Sequence, residues 1–110
     1  MKRTETIKNS DYFSSIIKTG KYIKNDNFVI YYIYNKDSIS PKFGVAIKKN
    51  IGKAVVRNKL KRQVRTLIDL NKKEFKNNTD YIIMIRNNAV KCDFKTLKKE
   101  FESLLERMHK

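Results

Sequence analysis

Residues 28–34 read FVIYYIY, seven β-branched or aromatic residues in a row between Asn27 and Asn35. A run of this kind predicts a β-strand. Both alternating sets of positions are apolar, which indicates a strand whose two faces are covered. The strand therefore predicts a sheet with other elements packed on both of its sides. Phe28, Ile30 and Tyr32 are expected to face the core beneath the later helices.

The rest of the chain supplies three helices and three further strands. Phe75 continues the apolar stripe of the middle helix, which is therefore expected to reach the break at Asn77 and Asn78. The order α-β-β-β-α-β-α predicts an α+β sandwich with one four-stranded sheet. The remaining elements are a helix over about 10–19 capped by Asn9 or Ser10 and ended by Gly20, strands at 22–24, 43–48 and 81–85, a helix from Ala54 into the low seventies, and a helix from near Asp93.

Length and composition restrict the class of protein. The 110 residues allow one domain, expected to span residues 1–110. No apolar run approaches the roughly 20 residues of a membrane span, and residues 1–20 carry no apolar signal-peptide segment. The single cysteine, Cys92, indicates a reducing compartment, and the single histidine, His109, excludes a histidine-clustered metal site.

Charge is the most informative property of the composition. The chain has 26 Lys and Arg against 11 Asp and Glu, a net charge of +15. Residues 38–68 hold nine basic side chains and no acidic one. Like charges that are crowded together repel each other, so this segment predicts an external polyanion. Nucleic acid is the favoured partner, and an anionic membrane surface is the alternative.

The basic residues of the middle helix share one face. They occupy a contiguous arc beside the apolar stripe of Leu60, Val64, Leu67 and Ile68, so the core fixes their position. Guanidinium groups bind phosphate oxygens through paired hydrogen bonds, and an amide can bind a sugar or a base edge. The alternative is a solvated face, although such faces usually carry Glu as well. The residues of the arc are Arg57, Asn58, Lys61, Arg62 and Arg65.

The turn and helix at residues 51–65 contain the pattern I-G-x-A-V-x-R-N-x-x-K-R-x-x-R. This pattern resembles the signature of the protein subunit of bacterial ribonuclease P. The resemblance extends across nearly the whole chain. It also includes Phe13, Gly20, Phe28 to Tyr31, Gly44, Asp80 to Ile83, and Arg86.

The resemblance implies a left-handed strand–helix–strand crossover and an accessory role in an endoribonuclease. The family assists the removal of the 5′ leader from precursor tRNA and broadens the range of substrates, while a large RNA carries the active site. The implied partners are ribonuclease P RNA and precursor tRNA, with no membrane. Magnesium ions would be held mainly by the RNA and none by the protein alone. A monomer in a cytoplasmic complex of one protein and one RNA is expected.

Two sets of site residues follow from the resemblance. In the first, Lys53, Arg57, Asn58, Lys61, Arg62 and Arg65 would contact the catalytic RNA. In the second, Phe13, Ile17, Val29, Tyr31 and Lys49 would line a cleft for the single-stranded leader. The residues themselves allow this cleft, because Phe13 and Ile17 share a helical arc and Val29 and Tyr31 share one side of a strand. They equally allow an ordinary core between that helix and that strand.

No residue pattern indicates a catalytic centre carried by the protein. Asp80 is interpreted as a strand-entry residue, and Cys92 as a small residue at a helix start. A structural RNA-binding protein of ribosomal type is the main alternative function. A helix-based DNA binder is less favoured, because no short helix and turn precede the basic helix.

Overall fold

The computed structural model describes residues 3–109, so residues 1, 2 and 110 of the expected domain lie outside the described part. Seven main elements follow one another in the predicted order. Short 3₁₀ turns lie at Arg3–Glu5, Lys72–Glu74 and Asn87–Lys91. The elements are α1 (Ser10–Thr19), β1 (Lys21–Lys24), β2 (Phe28–Tyr34), β3 (Lys42–Ile47), α2 (Ala54–Leu70), β4 (Thr79–Ile85) and α3 (Phe94–Met108).

The four strands form one sheet in the order β1-β2-β4-β3. β1 and β2 are antiparallel, as are β2 and β4, whereas β3 and β4 are parallel. In the centre of the sheet Tyr31 pairs with Ile82, and Gly44 pairs with Ile82 from the other side. The predicted α+β class with a four-stranded sheet is confirmed. The left-handed sense of the β3–α2–β4 crossover stays a prediction.

Local sequence signals account for most of the element boundaries. The side chain of Asn9 caps α1, accepting a hydrogen bond from the backbone N–H of Tyr12 at 3.0 Å. Asp93 caps α3 in the same way, through the N–H of Thr96 at 2.9 Å. The strand predicted at residues 28–34 has those bounds. β4 begins two residues earlier than predicted, at Thr79.

The prediction that α2 continues through Phe75 is wrong. The helix ends at Leu70, and Asn71 leaves the helical conformation at φ −119° and ψ 25°. The Asn71 side chain turns back and donates to the carbonyl of Leu67 at 2.8 Å. Phe75 is buried because its ring packs edge-on against Phe43 and Tyr81, with centroids 4.8 and 4.9 Å apart. Its apolar character therefore reflects packing on the sheet and not helical periodicity.

The two faces of the sheet are covered unequally. α2 and α3 cover one face and enclose the main core, where Phe28 and Ile30 are fully buried and Tyr32 is half-buried, as expected for these three residues. The ten-residue helix α1 packs on the other face, around buried Ile16 and Ile82. Because one short helix covers this second face, part of it stays open to solvent.

Candidate nucleic-acid interface

The basic helix α2 is anchored by its apolar stripe. Leu60, Val64, Leu67 and Ile68 are all buried in the main core. The neighbouring face of the helix turns outward, so that Asn58, Arg62 and Arg65 are exposed and Arg57 and Lys61 are half-buried. The predicted arc therefore exists as one surface of the folded chain. We call it the basic face.

The start of α2 lacks the side-chain cap that α1 and α3 have. Lys53 stands at the N-cap position, is exposed, and makes no side-chain capping hydrogen bond. The first turn of α2 also contains no acidic residue. Backbone N–H groups at the start of a helix bind anions, so this end of the basic face adds donors to its cations.

Arg57 holds the segment before α2 against the helix. Its Nη1 donates to the carbonyl of Lys49 at 2.8 Å and to that of Gly52 at 2.7 Å. Gly52 has a φ of +61°, in the left-handed region that glycine adopts without strain. The glycine and the arginine of the pattern thus fix one turn together. This turn sets the backbone conformation of residues 48–53, which we call the segment 48–53.

α1 is held on the sheet by a buried carboxylate. Asp80 is fully buried and accepts hydrogen bonds from Tyr12 Oη at 2.5 Å, Asn35 Nδ2 at 3.0 Å and Ser38 Oγ at 2.7 Å. Burial, together with the hydrogen bond to Asp80, raises the pKa of Tyr12 to about 12. Asp80, interpreted from the sequence as a strand-entry residue, also anchors α1.

A groove opens beside α1 on the partly covered face of the sheet. It has a volume of about 520 Å³. Its floor combines Ile17 from α1 with Val29 and Tyr31 from β2 and Met84 from β4, and Met84 pairs with Val29 in the register of the sheet. Lys48, Asn50, Arg86 and Asn87 also line it.

The structure brings some of the predicted cleft residues together and places others beside the groove. Ile17, Val29 and Tyr31 line it. The ring of Phe13 instead covers Gly44, where an added Cβ would lie 2.4 Å from Phe13 Cε2. Lys49 is exposed next to Lys48, with its carbonyl bound by Arg57.

Lys48, Met84 and Arg86 are among the groove residues that the predicted cleft set does not include. Lys48 directly precedes Lys49, which was predicted to line the cleft. Met84 shares the strand side of Ile82, so alternation in β4 was the available signal. Arg86 follows β4 directly and donates from Nη1 to the carbonyl of Asn25 at 2.8 Å, a contact that depends on the turn before β2. No local sequence pattern indicates that contact.

The described residues offer neither a membrane-crossing helix nor a metal centre. Within residues 3–109, no helix is both long enough and apolar enough to span a bilayer. In the same part of the chain, no three His, Cys, Asp or Glu residues are grouped so as to hold a metal ion. The donor set of the basic face consists of cations and an amide, whereas Mg²⁺ prefers carboxylate oxygens, so these residues do not fit a magnesium site.

Comparison with known proteins places this basic α+β domain in a defined class. The family model of ribonuclease P matches residues 1–109. The ribonuclease P protein component of Mycoplasma mycoides is 39% identical over 98% of this chain and 99% of its own length. Solved ribonuclease P proteins are similar throughout: a Staphylococcus aureus mutant has a TM-score of 0.89 at 28% identity, covering 97% of this chain and 90% of its own. The Thermotoga maritima protein has a TM-score of 0.82 at 31% identity, covering 94% and 96%.

The chain belongs to the family of ribonuclease P protein components. Membership implies RNA binding and tRNA processing, as an accessory subunit of an endoribonuclease that works with ribonuclease P RNA. The resemblance noted in the sequence is confirmed.

Proposed function

We propose that this chain binds the catalytic RNA through the basic face and the 5′ leader of precursor tRNA in the groove. It thereby assists endonucleolytic removal of the leader and broadens the range of precursors that are cleaved. The protein acts in the cytoplasm as one monomer per RNA. The chemistry belongs to the RNA subunit.

One observation carries this proposal: the segment 48–53 belongs to both surfaces. Lys48 and Asn50 line the groove, while Lys53 is the N-cap residue of α2. Arg57, a residue of the basic face, binds the carbonyls of Lys49 and Gly52 within the same segment. A catalytic RNA on the basic face and a leader in the groove would therefore lie at a fixed separation, which is what orienting a substrate toward an active site requires.

The groove suits a single strand of RNA. Its floor offers the half-buried ring of Tyr31 beside Val29 and Ile17, and bases stack on aromatic rings with little regard to sequence. Lys48 and Arg86 supply positive charge for the backbone. Phe13 supports the groove from the covered half of the same sheet face, and exposed Lys49 adds charge beside it.

Magnesium is assigned to the RNA. Residues 38–68 contain no carboxylate, so the basic face neutralises phosphates instead of placing metal ions. Neutralised phosphates pack closely with less free magnesium, so the protein should lower the magnesium requirement of the RNA.

Reconstitution tests the function. The protein is mixed with bacterial ribonuclease P RNA and precursor tRNA at low magnesium, and 5′ cleavage is measured. We expect enhanced cleavage with both components and none with the protein alone. If the protein does not enhance cleavage, a structural RNA-binding role is favoured. If the protein cleaves the precursor without any RNA subunit, the assignment of the chemistry to the RNA is overturned.

A further inference from the structure

The groove continues beyond Tyr31 toward the edge of the sheet. A second hollow of about 420 Å³ extends over β1, where Tyr22 and Lys24 line it. Because it shares several residues with the first hollow, the two form one trough from the segment 48–53 to β1. The shared residues are Ile17, Val29, Tyr31 and Arg86.

Tyr22 is an aromatic residue with little packing role. It lies on edge strand β1, opposite Tyr31 in the register, and is 59% exposed. The two ring centroids are 5.9 Å apart, and the rings are inclined at 48°. Burial does not account for a ring in this position, because more than half of the residue stays in water. The trough thus holds two neighbouring rings that are both accessible to a ligand.

The charge of the trough matches RNA along its whole length. Lys18 and Lys24 line the β1 end, and Lys48 and Arg86 line the other hollow. None of the residues that line the two hollows in the described part of the chain is acidic. A polyanion with flat, stackable bases fits this combination of exposed rings and unbalanced positive charge.

We propose that Tyr22 is a second stacking platform for the leader, holding a nucleotide farther from the cleavage site than the one on Tyr31. This rests on the proposed function. The segment 48–53 adjoins the basic face that binds the catalytic RNA, so the leader enters the trough at that end. The nucleotides that reach β1 are then those farther toward the 5′ end.

The test uses the holoenzyme, assembled with ribonuclease P RNA, and measures the affinity for precursors with a long leader, a short leader and no leader. Tyr22→Ala should weaken binding of the long-leader precursor by at least about 5-fold, the loss of one stacked base. Binding of the short-leader precursor and of mature tRNA should not change, and Tyr22→Phe should retain wild-type affinity. Tyr34→Ala is the matched control, since Tyr34 is a 73% exposed tyrosine that lines neither hollow.

A fluorescent base in the leader gives a signal that would not change if the role of Tyr22 were purely structural. With 2-aminopurine placed along the leader, Tyr22→Ala should relieve quenching only at distal positions, and Tyr31→Leu only at proximal ones. Equal losses for Tyr22→Ala and Tyr34→Ala, or a loss that extends to mature tRNA, would overturn the proposal. If Tyr31→Leu weakens leader binding and Tyr22→Ala does not, the second platform is wrong while the proposed function stands. If neither substitution has an effect, leader binding in the trough is itself overturned.

Discussion

The ring of Phe13 lies so close to Gly44 that a methyl group on the glycine would stand 2.4 Å from Phe13 Cε2. The absence of a side chain in the middle of β3 is therefore what lets α1 approach the sheet. Since α1 also supplies Ile17 to the groove, this contact sets one wall of the candidate leader site.

Gly44→Ala should lower the free energy of unfolding by roughly 1–3 kcal/mol, because the added methyl overpacks the contact with Phe13. Urea denaturation measures the effect. In a Phe13→Ala background the same substitution should cost much less, since the obstructing ring is gone. If Gly44→Ala lowers the free energy of unfolding equally in both backgrounds, the ring of Phe13 is not the reason that position 44 requires glycine.

Tyr31→Leu should weaken binding of a precursor with a 5′ leader by about 1–3 kcal/mol, because a base loses its aromatic partner. Stability should change little, since Tyr31 is only half-buried and leucine keeps much of the apolar bulk. Tyr31→Phe should behave like the wild type. Mature tRNA serves as the control ligand, and its affinity should not change. A parallel loss for both RNAs would place Tyr31 outside the leader site.

Arg62→Ala and Arg65→Ala should each weaken binding to the catalytic RNA and make its salt dependence shallower by about one unit of slope. Both side chains are exposed, so the variants should unfold like the wild type. Lys99→Ala on α3 is the matched control, an exposed cation outside the basic face, and should leave the slope unchanged. The measurement is affinity over a series of salt concentrations. Unchanged slopes for the two arginine variants would contradict phosphate binding by the basic face.

Tyr12→Phe should change the stability profile at alkaline pH. The pKa of Tyr12 is about 12 in the folded chain, against an ordinary value of 10. The folded state therefore keeps the phenol proton up to a higher pH than the unfolded state does. Its contribution to stability is complete below pH 10 and is lost as the pH rises from 10 to about 12. The phenylalanine variant should therefore lose less stability than the wild type over that window. Tyr34→Phe, at an exposed tyrosine, should lose as much as the wild type.

The sequence was sufficient for most of the fold because its signals are local. An apolar run bounded by asparagines predicted the bounds of β2, and the capping residues Asn9 and Asp93 marked where two helices begin. The failure at Phe75 has a physical reason, since an apolar residue at helical spacing has the same pattern whether it packs from a helix or from an extended segment. Only the edge-on contacts with Phe43 and Tyr81 distinguish the two.

The site was less predictable than the fold because its parts come from distant segments. The basic face could be predicted, since its residues and the stripe that orients them lie on one helix. The Arg57 contacts with Lys49 and Gly52 depend on a turn, and the groove depends on β4 lying between β2 and β3. Lys48, Met84 and Arg86 join the groove only through that topology.

The position of β4 in the sheet also determines when the molecule acquires its surfaces during synthesis. β1 and β2 are neighbours in sequence and can pair as soon as both have left the ribosome. Among the strands of residues 3–109, β3 pairs with β4 alone, and β2 completes its pairing through β4 as well. A nascent chain that ends before Thr79 lacks β4, so it can form the β1–β2 hairpin and the first two helices but neither the four-stranded sheet nor the part of the groove floor that Met84 supplies. The late arrival of one central strand makes assembly of the binding surfaces nearly all-or-none.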